Sequence, residues 1–226
     1  MSNPEPGVDE QIVVPTAGQM RDLGRRLAGL LQAGDLVVLS GPLGAGKTTL
    51  TQGIGAGLGV RGSVTSPTFV IARLHPSLSA GPDLVHADAY RLGSRAEVDD
   101  LDLDADLDSS VTVVEWGEGL VENLAPSFLS VGIRAAQPTA QPDTAVASGE
   151  AGEVGGAGGT GEPNGADALG AAHAAEESGA AEEADVAEEA DVARTVHLQG
   201  WGERWQGAAV VEAARRALAD VSGRAP

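Results

Sequence analysis

The segment Gly41-Pro-Leu-Gly-Ala-Gly46-Lys47-Thr48 constrains the fold more than any other feature of the chain, because its pattern G-x-x-x-x-G-K-[ST] belongs to one local architecture. Glycines let the backbone curl until successive N–H groups face a common point, and a helix starting there adds the positive end of its dipole. The flanking residues supply what such a loop needs. Asp35-Leu-Val-Val-Leu-Ser40 is a short apolar run rich in β-branched residues; after the loop, Thr48, Thr49, Leu50 and Ile54 continue until breakers near Gly57 and Gly59. The order is strand, glycine loop, helix. In that setting Lys47 reaches the outer phosphates of a nucleotide and the Thr48 hydroxyl takes a position on Mg²⁺. With 32 glycines in the chain, a chance match has to be weighed, but Lys47 is the sole lysine against thirteen arginines. A composition that otherwise uses Arg for positive charge has placed its one compact ammonium where the loop needs it.

The rest of the chain alternates helices with apolar strands. Thr16 with Gln19 reads as a capping box, and Met20, Leu23, Leu27, Leu30 and Leu31 recur at helical spacing, predicting a first helix that ends near Ala33-Gly34. Thr68 to Leu74 and Leu84 to Asp88 read as strands, Ser94 with Glu97 opens a helix, and Val111 to Glu115 is a buried strand ending in an acid. Continuous apolar strands alternating with helices predict an α/β fold with a mostly parallel sheet. Val210 to Val221 reads as a closing helix.

Charge is distributed unevenly. The chain of 226 residues carries a net −19 and no cysteine, which excludes a disulfide scaffold and a Cys-ligated zinc site and disfavours unassisted binding to a phosphate backbone. Residues 135–193 hold 13 acids, 19 Ala and 10 Gly, without Lys, Arg or any aromatic residue. Such a stretch buries too little apolar surface to offset the entropy of ordering it, and is expected to be a long disordered acidic loop. It ends in the repeat Ala181-Glu-Glu-Ala-Asp-Val186 and Ala187-Glu-Glu-Ala-Asp-Val192, whose step of six forms no apolar helix face; an electrostatic arm for a basic partner is the sharper reading of it. Outside it, fourteen basic residues face twenty acids, an ordinary balance for one domain. The expected organisation is therefore a core over 1–134, the insert 135–193, and a closing strand and helix over 194–226. Phe128 to Arg134 and Arg194 to Gln199 become neighbouring strands with the insert between them, since loops accept such length at small entropic cost. The first residues lack a basic start with an apolar stretch, and no run of about 18 apolar residues occurs, so a cytoplasmic protein with no membrane contact is expected.

Two acids are candidates for chemistry. Glu115 ends an apolar strand, where an α/β sheet places its ligand crevice and where an acid holds the metal or its waters; the plainer alternative is a carboxylate capping the Gly117 to Val121 turn. Trp116 beside it is either core or a shield against water. Asp88 either orders water at the metal or pairs with Arg91, and His86, two residues earlier on the same face, reads as a packing residue. Thr65-Ser-Pro-Thr68 lies where a switch would meet the γ-phosphate, although a Ser-Pro turn explains the string equally.

Taken together, Gly-Pro-Leu-Gly-Ala-Gly-Lys-Thr-Thr (41–49), Thr-Ser-Pro-Thr-Phe (65–69), His-Ala-Asp-Ala-Tyr-Arg (86–91) and Val-Glu-Trp-Gly-Glu (114–118) resemble the TsaE family, formerly called the YjeE proteins. The resemblance runs from about Val13 to Ile133 and resumes weakly at Arg194; the insert lies outside it. It implies a P-loop NTPase three-layer sandwich that binds ATP and Mg²⁺. Gly44, Ala45, Gly46, Lys47, Thr48 and Thr49 would surround the phosphates, with Thr48, Glu115 and Asp88 at the metal and Trp116 nearby. Lys47, Asp88 and Glu115 would be catalytic, Ser66 to Thr68 a switch-like segment, and Thr16 would lie near the nucleotide. Arg194 would take the place of a basic residue near the last strand. The resemblance also implies an ATPase that supports a TsaD-like and TsaB-like pair in forming threonylcarbamoyladenosine beside the tRNA anticodon, touching tRNA only through those partners. Hydrolysis should be slow in isolation, since no arginine finger is evident.

Two other classes use the same loop. A small-molecule P-loop kinase would take Asp88 as base but should carry an arginine-rich lid, and the long loop has no arginine. A nucleotide-gated scaffold would recruit a partner without significant turnover. The lack of a guanine-selecting Asn-Lys-x-Asp string is the one internal argument for ATP over GTP.

Overall fold

Seven strands form a single sheet in the computed structural model, which describes residues 5–67, 71–99, 106–136 and 192–219. In chain order the elements are β1 (Val8–Val14), α1 (Ala17–Ala28), β2 (Leu36–Ser40), α2 (Lys47–Leu58), β3 (Ala72–His75), β4 (Asp83–Asp88), α3 (Arg95–Asp99), β5 (Ser110–Glu115), β6 (Phe128–Ala135), β7 (Arg194–Trp201) and α4 (Ala208–Ala219). The sheet order is β1-β7-β6-β2-β5-β4-β3. Its centre, β6-β2-β5-β4, is parallel, and β3 and β7 run against it. Strand β1 pairs antiparallel with β7 and so points the same way as the centre, giving five strands in one direction and two in the other. The fold is α/β with a mostly parallel sheet.

Alternation along the strands divides the core. Val37, Leu39, Leu84, Val111, Val113, Val131 and Ile133 face α1, α2 and α4, where Met20, Leu23, Leu50, Ile54 and Leu218 meet them. Leu36, Val38, Val85, Ala87 and Val114 face the other side, covered by α3 through Val98 and by Leu107, Val121 and Ala125. Helices on both faces make the three layers.

Several local expectations need correction. The first helix stops at Ala28, because Gly29 closes it with its N–H on Arg26 and Leu27 carbonyls; Leu30 and Leu31 stay against the core in the tight turn that follows. The strand expected from Thr68 begins at Ala72: Ile71 has φ +66°, outside the β region, and 68–70 lie outside the described residues. Strand β1 was not anticipated. Phe128–Ala135 and Arg194–Trp201 do pair, in antiparallel register from Phe128 with Trp201 to Ala135 with Arg194, so the segments on either side of the insert are neighbours in the sheet. The expectation for the insert itself falls, apart from its ends, on residues outside those described, as does the closing helix beyond Ala219. No helix among the described residues is long and apolar enough to cross a membrane.

Candidate functional site

The carboxyl ends of β2, β4 and β5 converge on one cleft. Leaving β2, the chain turns at Gly41, whose φ of +139° and close approach to the Ile133 carbonyl admit no side chain: a Cβ there would lie 2.2 Å from that oxygen. It re-enters regular structure at Gly46, the N-cap of α2, with φ +102°. Left-handed backbone of this kind is open to glycine and costly to other residues, which is why the loop spacing ends in Gly-Lys. Helix α2 therefore starts at Lys47 and aims its N-terminal amides into a cleft of about 280 Å³.

The cleft brings together Gly44, Ala45, Gly46, Lys47, Thr48 and Thr49 of the loop with Ser66, Asp88, Glu115 and Trp116. One of the residues expected at the site, Thr16, is not among the residues that line this cleft. Thr68 lies outside the described residues. Thr16 is the N-cap of α1, accepting from the Gln19 N–H at 3.1 Å, and with Met20 and Arg194 it lines a small hollow against Ala45, Gly46 and Thr49, the far side of the same loop. Arg194 donates to the Gly44 carbonyl at 3.2 Å, tying β7 to the loop apex.

Lys47 is almost wholly buried and folds back along the loop. Its Nζ donates to the carbonyls of Gly41 at 2.9 Å and Pro42 at 3.0 Å, and lies 3.7 Å from the centre of the Trp116 ring. Burial pulls its pKa below the ordinary lysine value, while Glu115 and Asp88 act in the opposite direction. Trp116 is itself held in a left-handed conformation at φ +61°, its N–H bonded to the Leu39 carbonyl at 2.8 Å. For a bulky residue that conformation costs about 1–3 kcal/mol, and strain of this size persists where the surrounding structure enforces it. Its indole also meets Tyr90, ring centres 5.0 Å apart, at the cleft mouth.

The two carboxylates sit side by side because Asp88 and Glu115 are register partners across β4 and β5. Glu115, 3% exposed, accepts at Oε1 from the Thr48 hydroxyl at 2.8 Å and from His86 Nε2 at 2.9 Å. Asp88 accepts from the Tyr90 N–H at 3.0 Å and the Ser66 hydroxyl at 3.4 Å. His86, read from sequence as packing, is thus joined to the strand-end acid. Its alternation with Asp88 was the available signal, but the Glu115 contact depends on strand pairing that sequence spacing does not state.

This donor set fits a hard divalent cation. Among the described residues no group of three or more His, Cys, Asp or Glu is arranged to hold a metal ion by itself, so a soft or all-protein metal cage is not what the cleft offers. One hydroxyl and two carboxylates beside a phosphate-binding loop match Mg²⁺, which keeps most of its shell as water and phosphate oxygen.

Comparison with known proteins points the same way as this geometry. The family model described as "Threonylcarbamoyl adenosine biosynthesis protein TsaE" matches residues 14–142. The chain is 70% identical over 115 residues to the tRNA threonylcarbamoyladenosine biosynthesis protein TsaE of Streptomyces coelicolor, covering 50% of this chain and 78% of that protein. It is 51% identical over 125 residues to the TsaE protein of Mycobacterium tuberculosis, covering 52% and 74%. A crystal structure of Bacillus subtilis YdiB superposes with a TM-score of 0.55 at 21% identity, over 92% of this chain and 95% of that one, so the two share a fold. A family match over more than half the chain, on the residues that build the cleft, leaves one conclusion: the chain belongs to the TsaE family.

Proposed function

We propose that the protein binds ATP with Mg²⁺ and hydrolyses it in support of threonylcarbamoyladenosine formation on tRNA, working with a TsaD-like and TsaB-like pair. The observation that carries this reading is the bond from the Thr48 hydroxyl to Glu115, which sets a metal-binding hydroxyl and a strand-end carboxylate together at the start of α2. The biosynthetic role follows from the family and its tRNA-modifying relatives. Hydrolysis, the nucleotide and the partners are the inferred parts.

In this reading the loop amides and the Lys47 ammonium would bind the phosphates, and Thr48, Glu115 and Asp88 would hold Mg²⁺. The cation, when bound, neutralises charge on the phosphate oxygens. Trp116 and Tyr90 wall the cleft on its open side and limit water entry. A water orientated by the Asp88 and Glu115 carboxylates attacks the γ-phosphorus; the new P–O bond forms as the bond to the β-γ bridging oxygen breaks, and the proton leaves to solvent. No Arg is among the described residues lining the cleft, and turnover alone should be slow. Phosphate release from ATP, measured for the protein alone and with the purified TsaD-TsaB pair, tests the reading. Release increased by the pair supports it; release indifferent to the pair overturns the partnership.

A further inference from the structure

We propose that His86 is a positioning residue for the metal-nucleotide site, holding the Glu115 carboxylate from the sheet side. The inference rests on the Mg²⁺-nucleotide reading above and adds to it a residue outside the cleft lining.

His86 is 0% exposed. Its neighbours on that face of the sheet, Leu84 and the register partner Val113, belong to the apolar core packed against α2. A packing histidine at such a position is expected to satisfy both ring nitrogens, and this one does not. Nε2 bonds Glu115 Oε1 at 2.9 Å, whereas Nδ1 is buried without a hydrogen-bond partner among the described residues. The bond to a carboxylate requires a proton on Nε2, and Nδ1 is left unpaired. An unpaired buried polar atom costs about 1–3 kcal/mol, a cost that a leucine or methionine of similar volume would avoid. The ring is thus a poor choice for filling space and a good one for delivering a single N–H to Glu115.

What that N–H does follows from the geometry of Oε1. The oxygen is held from two sides, by Thr48 on α2 and by His86 on β4, while Oε2 makes no hydrogen bond among the described residues. Two converging donors fix the rotamer of a carboxylate that lines the cleft. With His86 gone, the remaining anchor is Thr48, itself a metal-site residue, and the carboxylate loses its reference to the sheet. Partners of this kind, touching a ligand rather than the metal, typically contribute about 10–100-fold to metal affinity.

The test uses the full chain and a fluorescent methylanthraniloyl-ADP, with Mg²⁺ titrated against a fixed nucleotide concentration. Four proteins are compared: native, His86→Gln, His86→Asn and Glu115→Gln. Glutamine carries an amide N–H to the position of Nε2, whereas asparagine reaches only as far as Nδ1 and cannot bond Glu115. The expected result is that His86→Asn raises the Mg²⁺ concentration for half-maximal binding about tenfold and His86→Gln stays within about threefold of native, on the usual scale of such partners. Nucleotide binding in EDTA should be equal in all. If His86→Asn and His86→Gln behave alike, the positioning role is overturned. If Glu115→Gln also leaves the Mg²⁺ requirement unchanged, it is the metal-site reading that fails. A second measurement needs no variant: in histidine-ring nitrogen spectra of the native protein, one ring locked as Nε2–H should shift on adding ADP with Mg²⁺ but not ADP with EDTA. The same shift under both conditions, or no locked ring, overturns the proposal.

Discussion

Replacing one glycine by alanine should have opposite effects at two places in the first two helices. At Gly53 in α2, an added Cβ would lie 2.2 Å from the Arg21 carbonyl oxygen and 2.9 Å from the Arg21 Cα, both backbone atoms of α1. Ordinary contact begins near 3.4 Å, so the helices must part by about 1.2 Å, and backbone cannot rotate away as a side chain can. Overpacking of a tight interior costs about 1–3 kcal/mol, and a clash with backbone belongs at the upper end. Alanine's better helix propensity returns about 1 kcal/mol, leaving Gly53→Ala destabilised by about 2 kcal/mol. At exposed Gly18 the nearest atom to an added Cβ is the Thr16 hydroxyl at 3.7 Å, so nothing opposes the gain. Gly18→Ala should be stabilised by about 0.5 kcal/mol. Urea unfolding followed by tryptophan fluorescence reads both, because Trp205 is fully buried. With slopes of about 1–3 kcal/mol per molar, the two midpoints should separate by about 0.8–2.5 M. Since α2 begins at Lys47, displacing it should also weaken nucleotide binding in Gly53→Ala alone. A Gly53→Ala protein as stable as Gly18→Ala would show that the approach of α1 and α2 does not depend on the missing side chain.

Thr16→Ala removes the hydroxyl that accepts the Gln19 N–H at 3.1 Å, and should lower stability by about 1 kcal/mol in the same urea assay. Lys47 gives a pH-dependent prediction. Burial sets its folded pKa below the ordinary 10.5, so the charged form costs stability at any pH beneath the folded value, and the cost is relieved as pH rises through it toward 10.5. Native protein should therefore gain stability relative to Lys47→Met, which has nothing to titrate, between pH 7 and pH 10; a difference that stays constant or moves the other way contradicts the burial argument.

The site was legible where chemistry is local. The glycine spacing at Gly41 to Gly46 carries its own backbone requirement, and an apolar run before it and helical residues after it name the elements on either side. Asp88 and Glu115 could be singled out because each ends an apolar strand, and the structure sets them as register partners. The pairing of the strands on either side of the insert was legible too, but most of what depends on pairing between distant segments escaped. Strand β1 alternates buried Val8 and Val14 with Asp9, Glu10 and Gln11, a pattern that gains meaning once β7 lies beside it as partner. The left-handed backbone of Ile71 and Trp116 has no composition signal, since neither residue type favours it; tertiary bonds such as Trp116 N–H to Leu39 hold it in place. His86 read as packing because a lone histidine is more often a satisfied packing residue than a ligand, and its bond to Glu115 arises from the pairing of β4 with β5.

The most direct test of the central claim follows radiolabelled ATP with Mg²⁺ in native protein and in Glu115→Gln, with binding and phosphate release measured on the same samples. Native protein should release phosphate to water, and Glu115→Gln should still bind ATP but release none above background, because the carboxylate charge beside Thr48 is gone while the loop amides and Lys47 remain. Release by Glu115→Gln at the native rate would contradict that claim.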